Sequence, residues 1–82
     1  MVTVILLNLL RSKYNIHQVE VMPGTILEIL DQIKKLHPEV QLEDFEHSVV
    51  FVNTNRIIQK AFNREKIHDG DEVVFTHFIG GG

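Results

Sequence analysis

The feature that most constrains the fold is one amphipathic helix pattern lying between stretches of strand-like sequence. Apolar residues recur at spacings of three and four, at Ile26, Ile29, Leu30, Ile33 and Leu36. This spacing places them on one face of a helix, whereas Asp31, Lys34 and Lys35 are predicted to face water. A chain of 82 residues is one small domain. The sequence therefore predicts one core, in which the helix packs its apolar face against a sheet.

Local signals define both ends of this helix. Thr25 and Glu28 have the spacing of a capping box, in which the two side chains satisfy backbone N–H groups of the first turn. Pro23-Gly24 is a turn dipeptide just before them, and Pro38 disfavours helical geometry at the residue before it. The helix is expected to end at His37-Pro38.

Strand-like sequence surrounds the helix. Residues 2–10 are rich in β-branched and aliphatic side chains, and residues 14–22 alternate with period two, which predicts a hairpin across the polar break at residues 11–13. Further strands are predicted at residues 48–53, 56–58 and 72–78. Residues 39–47 are predicted to be a loop, and residues 61–67 one turn of helix.

The element order predicts an α+β domain with one main helix across one face of a mixed sheet of four to five strands. The first and last strands are expected to be neighbours at its centre. The helix stripe should then pack in one core against Val4, Leu6, Val21, Val73 and Phe75. We expect residues 1–79 to form this domain and residues 80–82 a flexible tail.

Composition argues against several classes of protein. The net charge is −3 and the basic residues are spread along the chain, so no clustered surface for nucleic acid is expected. No apolar run approaches the roughly 18 residues that suggest a membrane span. Cysteine is absent, which excludes disulfides and thiolate metal sites and favours a cytoplasmic location.

The five histidines do not have the spacing of a metal site. His17, His37, His47, His68 and His77 include no i, i+4 pair, so no bound metal is predicted. Asp69-Gly70-Asp71 is interpreted as a sharp turn rather than a cation site, because aspartates beside glycine commonly bond nearby backbone donors.

The terminal triplet Gly80-Gly81-Gly82 follows a strand of large apolar residues. Glycine has no Cβ, so such an end can enter a narrow cleft and present its carboxylate without steric cover. Five extended residues, from Phe78 to Gly82, span about 17 Å. Taken alone, the glycines are equally consistent with a frayed end.

The outward side of the predicted central strands is unusually apolar. Alternation places Ile5 and Leu7 on that side, together with Val74 and Phe78, and Ile79 follows directly. We expect Ile5, Leu7, Val74, Phe78 and Ile79 to form a surface that binds a partner protein. Ordinary scattered exposure of apolar side chains is the alternative interpretation.

Taken together, these segments resemble the small ubiquitin-like sulfur carriers, which include the small subunit of molybdopterin synthase and the thiamine-pathway carrier. The resemblance spans essentially the whole chain. Its most specific part is the Asp-Gly-Asp-Glu-Val turn at residues 69–73, placed before a last strand that runs to Gly81-Gly82. The first strand, the strand before Pro23-Gly24-Thr25, the main helix and the strand at residues 50–53 agree with the same pattern.

The resemblance implies a ubiquitin-like β-grasp fold and a protein that acts as co-substrate or small subunit, without catalysis of its own. An adenylating enzyme related to ubiquitin-activating enzymes would use ATP and Mg²⁺ to activate the carboxylate of Gly82. A persulfide would then supply sulfur to give a C-terminal thiocarboxylate, while Gly80 and Gly81 provide a slender approach. No cofactor bound by the chain itself is implied.

The implied acceptor is the molybdopterin synthase large subunit or thiazole synthase. Chain length favours the molybdopterin branch, whereas the triple glycine after Phe78-Ile79 is more similar to the thiamine carrier. Two other functions remain open at this point. One is a ubiquitin-like modifier joined to lysines through Gly82, and the other is a β-grasp interaction module whose tail is inert.

Overall fold

The chain folds around a mixed sheet with one long helix across one face. The computed structural model describes residues 1–77. Their elements in chain order are β1 (Val2–Leu7), α1 (Asn8–Tyr14), β2 (Gln18–Val21), β3 (Gly24–Thr25), α2 (Ile26–Leu36), α3 (Leu42–Glu46), β4 (Val49–Val52), β5 (Asn55–Ile57), a 3₁₀ turn (Gln59–Ala61), β6 (Lys66–Ile67) and β7 (Glu72–His77).

The main sheet of the described chain has five strands in the order β2-β1-β7-β4-β5. β1 and β7 are parallel neighbours at its centre, and Val4 pairs with Val73. The other three pairings in this sheet are antiparallel. The predicted mixed sheet, with its first and last strands adjacent, is confirmed. β3 and β6 form a separate two-stranded sheet.

Helix α2 begins as the capping box predicts. The Thr25 hydroxyl accepts a hydrogen bond from Glu28 N at 3.2 Å, and the Glu28 carboxylate accepts one from Thr25 N at 2.8 Å. The prediction was wrong for two residues at the other end. Lys34 is half-buried and its ammonium donates to backbone carbonyls of the following turn at 2.7 and 2.6 Å, while Leu36 is 57% exposed because the helix ends there.

The predicted core is confirmed. Ile26, Ile29 and Ile33 are completely buried against the sheet, and Leu30 is 2% exposed. The facing strands contribute the predicted residues, which are Val4, Leu6, Val21, Val73 and Phe75. Apolar burial on this scale supplies most of the free energy that holds a small domain together.

A short helix replaces the predicted hairpin turn between the first two strands. β1 ends at Leu7 instead of residue 10, and α1 runs to Tyr14. Asn8 and Asn15 at its two ends have positive φ, +53° and +55°, which asparagine tolerates better than most residues. Leu10 is 2% exposed, so its apolar character reflects burial in a helix rather than in a strand. β1 and β2 nevertheless pair antiparallel, as predicted.

Two further segments differ from their predictions. The predicted loop at residues 39–47 contains α3, because Phe45 anchors this helix completely buried against Phe75, with ring centroids 5.3 Å apart. The predicted helical turn at residues 61–67 lies earlier, as the 3₁₀ turn Gln59–Ala61. It is followed by β6, in which Ile67 pairs with Gly24.

The Asp69-Gly70-Asp71 segment is a turn, as predicted. Gly70 has φ +88°, a conformation that favours glycine. The Asp71 carboxylate accepts hydrogen bonds from His68 N at 2.8 Å and from Asn53 Nδ2 at 2.9 Å. These two bonds lower the pKa of Asp71. The Asn53 side chain also accepts from Glu72 N at 3.0 Å, so the turn fixes the start of β7 against β4.

Candidate functional site

The predicted reactive end of the chain lies outside the described residues. Gly82, the tail residues Gly80 and Gly81, and the predicted contact residues Phe78 and Ile79 all follow His77, the last described residue of β7. What the structure does describe is the sheet from which this segment continues. The candidate site is therefore built from the sheet face opposite α2, which we call the outer face.

Strand register arranges the outer face in three rows. Cross-strand partners share a face, so each row can be followed from strand to strand. The apolar row is Ile5, Val74 and Phe51. On its side nearer the end of β7 is the tail-side row, Leu7, Thr76 and Val49. On its other side is the acidic row, Glu20, Thr3 and Glu72.

The apolar row is incompletely covered. Ile5, Phe51 and Val74 are each half-buried, and Leu7 beside them is 36% exposed. The core side of the same strands is filled by the α2 stripe, so these four side chains form a second apolar surface that residues 1–77 cover only in part. A contiguous apolar surface of this kind is typical of a protein-binding site.

An open depression of about 400 Å³ lies over this surface. Asn8 borders it and donates from Nδ2 to the Thr76 hydroxyl at 2.6 Å. Thr76 is only 4% exposed, and this hydrogen bond satisfies its buried hydroxyl. The bond connects the start of α1 to the end of strand β7. The depression therefore lies close to the point where the chain continues from β7 to its C-terminus. Its lining residues are Leu7, Asn8, Phe51, Thr54, Glu72, Val74 and Thr76.

A second, smaller recess lies on the other side of β7, where His77 faces α1 and α3. Its volume is about 200 Å³. The Asp44 carboxylate there accepts hydrogen bonds from Lys13 Nζ at 2.7 Å and from the Tyr14 hydroxyl at 2.5 Å. These bonds lower the pKa of Asp44, and the bond to Asp44 raises the pKa of Lys13. Tyr14 also accepts from Gln41 N at 2.9 Å, and burial raises its pKa. The cluster joins α1 to α3.

Three of the predicted partner-binding residues are brought together. Ile5, Leu7 and Val74 lie on the outer face as predicted, on adjacent strands. Sequence reasoning missed Phe51 and Asn8. Strand β4 is apolar at every position, so alternation alone does not say which side Phe51 occupies, and Asn8 was placed in an extended strand.

Within residues 1–77 no group of three or more His, Asp or Glu side chains is arranged to hold a metal ion. The same residues include no helix long and apolar enough to cross a membrane.

Comparison with known proteins identifies the fold and the family. A chain in the BexX/CysO complex of Amycolatopsis orientalis is similar over 100% of both chains, with 27% identity and a TM-score of 0.73. The thiamine biosynthesis protein ThiS of Geobacter metallireducens is 24% identical over 98% of this chain and 99% of that one, with a TM-score of 0.61. Urm1 of Sulfolobus solfataricus is 18% identical over 93% and 99%, with a TM-score of 0.64. No curated protein sequence matches the chain.

The sheet order, the single long helix across it and these structural similarities define a ubiquitin-like β-grasp protein. The ThiS family model matches residues 4–82, which is nearly the whole chain. The chain belongs to the ThiS family, and it is a sulfur carrier of that type.

Proposed function

We propose that the chain carries sulfur as a thiocarboxylate on Gly82. The observation that carries this proposal is the family match, which runs through residue 82 and so includes the terminal glycines. The central position of β7 agrees with it, because the strand that leads to these glycines is held on both sides by β1 and β4. A reactive end attached to a well-supported strand has a defined starting point for entering an enzyme.

The chemistry begins with activation of a poor acyl donor. One Gly82 carboxylate oxygen attacks the α-phosphorus of ATP, pyrophosphate leaves, and an acyl-adenylate forms. The terminal sulfur of a persulfide then attacks the acyl carbon, and AMP leaves with the electron pair of the broken C–O bond. The product still carries a sulfur–sulfur bond. A thiol reductant must cleave that bond to free the thiocarboxylate.

The carrier itself supplies recognition rather than catalysis. ATP and Mg²⁺ are bound by the adenylating enzyme, and no cofactor is assigned to this chain. In this proposal the outer face is the docking surface, and its contact residues are Ile5, Leu7 and Val74 together with Phe51, which pairs with Val74. Five residues span at most about 17 Å, so docking close to the end of β7 is needed to bring Gly82 to the reacting groups.

For the destination of the sulfur, we retain the molybdopterin branch, with the large subunit of molybdopterin synthase as acceptor. Chain length does not separate it from the thiamine branch, because 98% of this chain matches 99% of the thiamine biosynthesis protein of Geobacter metallireducens. Thiamine biosynthesis, with thiazole synthase as acceptor, is the second candidate. It is favoured by the ThiS description of the matching family.

One experiment tests the carrier and then the destination. The purified chain is incubated with an adenylating enzyme of the same organism, ATP, Mg²⁺, a persulfide donor and a thiol reductant, and its intact mass is measured. Replacement of one oxygen by sulfur is expected. A product joined to lysines through Gly82 would instead favour a protein modifier, and no product of either kind would refute the proposal. The thiocarboxylated chain is then offered to each acceptor enzyme, and the one that forms product identifies the pathway.

A further inference from the structure

Among residues 1–77, the basic side chains without a polar partner are concentrated in residues 55–66. Earlier in the chain, each Lys or Arg has a polar partner: Arg11 contacts His17, Lys13 bonds Asp44, Lys34 bonds two backbone carbonyls, and Lys35 pairs with Asp31. Within the described part of the chain, the later four are exposed and make no ion pair or side-chain hydrogen bond. They are Arg56, Lys60, Arg64 and Lys66.

Charge in this segment runs against that of the whole chain. Residues 55–66 contain four bases and one acid, whereas the chain has eight bases and eleven acids. A local positive charge that is not neutralised internally is available to another molecule. The location of each base therefore decides what it can contact.

Strand register places Arg56 on the outer face. It pairs with Phe51 across the β4–β5 ladder, and Phe51 pairs in turn with Val74. Arg56 thus extends the apolar row at the β5 edge of the sheet. Lys66, by contrast, lies in β6 of the separate two-stranded sheet.

The acidic row provides a fixed negative charge at a different position on the same face. The Glu20 carboxylate accepts hydrogen bonds from the Thr3 hydroxyl at 3.0 Å and from Gln18 Nε2 at 3.2 Å. These bonds restrict the carboxylate to the β2 edge of the sheet, and Glu72 adds a second acid in that row. Glu20 and Arg56 therefore lie at opposite edges of the outer face, on β2 and β5, whereas Glu72 lies on β7 beside the apolar row.

We propose that the outer face selects its partner by the position of charge. A carboxylate on the partner protein binds Arg56, and a basic group on the partner lies over Glu20, on either side of an apolar contact with the apolar row. The inference rests on the proposed function, in which this partner is the enzyme that adenylates Gly82. It adds which residues orient that enzyme and what chemistry its surface presents.

Physical chemistry favours this arrangement as a device for orientation. The guanidinium group presents a planar fork of donors that matches a carboxylate, so Arg56 is suited to a directional pair. Charges at the rim of an interface raise the rate of encounter and fix its register, while a misplaced like charge opposes the wrong orientation. Because the C-terminal segment spans only about 17 Å, an enzyme docked in the wrong orientation would not reach Gly82.

The test uses charge reversal at matched positions. Arg56→Glu and Glu20→Lys reverse the two proposed contacts, and Lys66→Glu and Glu65→Lys make the same changes of charge at exposed positions away from the proposed contacts. The double variant Arg56→Glu/Glu20→Lys keeps the net charge of the original chain. The full-length chains are assayed with an adenylating enzyme of the same organism, ATP, Mg²⁺, a persulfide donor and a thiol reductant, so that the acyl-adenylate is consumed and the enzyme turns over. Pyrophosphate release gives kcat/KM at about 0.01 M and about 1 M salt, where the Debye lengths are about 30 and 3 Å.

At low salt we expect each outer-face reversal to lower kcat/KM about tenfold or more, mainly through KM, and each control to change it little. The double variant should stay slow, because its charges have the wrong positions although their sum is unchanged. At about 1 M salt, the differences in kcat/KM between the outer-face variants and the controls should become smaller. Melting temperatures check that every variant is folded.

Two outcomes would overturn the inference by different routes. One is that Arg56→Glu and Lys66→Glu slow the reaction equally, or that the double variant recovers the original rate. The rate would then depend on net charge alone, and the proposal that the position of charge selects the partner would be wrong. Pyrophosphate release by the unaltered chain would still stand in that case, so the proposed function would survive. If the unaltered chain releases no pyrophosphate, the proposed function fails and this inference fails with it.

Discussion

Replacing Ile29 by alanine tests the energetics of the core most directly. Ile29 lies on α2 and is completely buried against the sheet. The change removes three carbon atoms, each worth about 0.8 kcal/mol of transfer free energy, so the transfer contribution alone is about 2.4 kcal/mol. Incomplete collapse of the resulting cavity raises the expected loss to about 2–5 kcal/mol. A domain of this size has a total stability of roughly 4–12 kcal/mol, so the loss is a large share of it.

The matched control is Leu27→Ala on the same helix. Leu27 is 42% exposed, and alanine is a good helix former, so this change should cost far less. Urea unfolding followed by circular dichroism gives both free energies of unfolding. For a domain of 60–100 residues, each 1 kcal/mol shifts the melting temperature by about 4–8 °C, so Ile29→Ala should melt at least about 8 °C lower. If both variants lost the same stability, the assignment of the helix face would be wrong.

Three further predictions concern the outer face, the C-terminus and the α1–α3 cluster. Leu7→Glu should weaken binding to the adenylating enzyme at least about tenfold while its circular dichroism spectrum stays unchanged. Leu36→Glu lies away from the outer face and should leave the binding affinity unchanged. Calorimetric titration measures the affinity of both variants. Deleting Gly82 withdraws the carboxylate by about 3.5 Å and should abolish the sulfur mass shift without changing the melting temperature. The pKa of Asp44 is lowered in the folded state, so its contribution to stability is present above about pH 4 and is lost as the pH falls through the lowered pKa. The free energies of unfolding of the original chain and of Asp44→Asn should therefore converge in acid. A constant difference between these free energies from pH 7 to pH 2 would contradict this prediction.

Local signals made α2 predictable, whereas tertiary contacts decided the elements that were missed. The Thr25–Glu28 capping box and the apolar spacing act within a few residues, so they can be read directly from sequence. In the sequence, the apolar pair Leu9-Leu10 fits a strand as well as a helix. Only the structure shows that Leu10 is buried in the core from helix α1. α3 has no side-chain cap and depends on Phe45 packing against Phe75, a contact between distant segments.

The candidate site was predictable in part for the same reason. Ile5, Leu7 and Val74 follow from alternation on two strands whose inward residues are clear. Phe51 required the register of β4, because apolar residues occupy both sides of that strand. The position of Arg56 depends in turn on how β5 pairs with Phe51. Sequence periodicity sets the sides of one strand, but only the pairing of strands assembles a surface.

The parallel pairing of β1 with β7 has a consequence for how the domain forms during synthesis. Thr3 pairs with Glu72, so the centre of the sheet joins residues from opposite ends of the described chain. Closing so long a loop carries an entropic cost that must be met before the contact is made. In a ribosome-bound chain whose β7 has not yet emerged, the middle strand of the sheet is missing. Val74 is then absent from its place between Ile5 and Phe51, so the apolar row is incomplete. We therefore expect the outer face to be completed only after translation of β7. An enzyme that docks on this face should then bind folded carriers and not nascent chains.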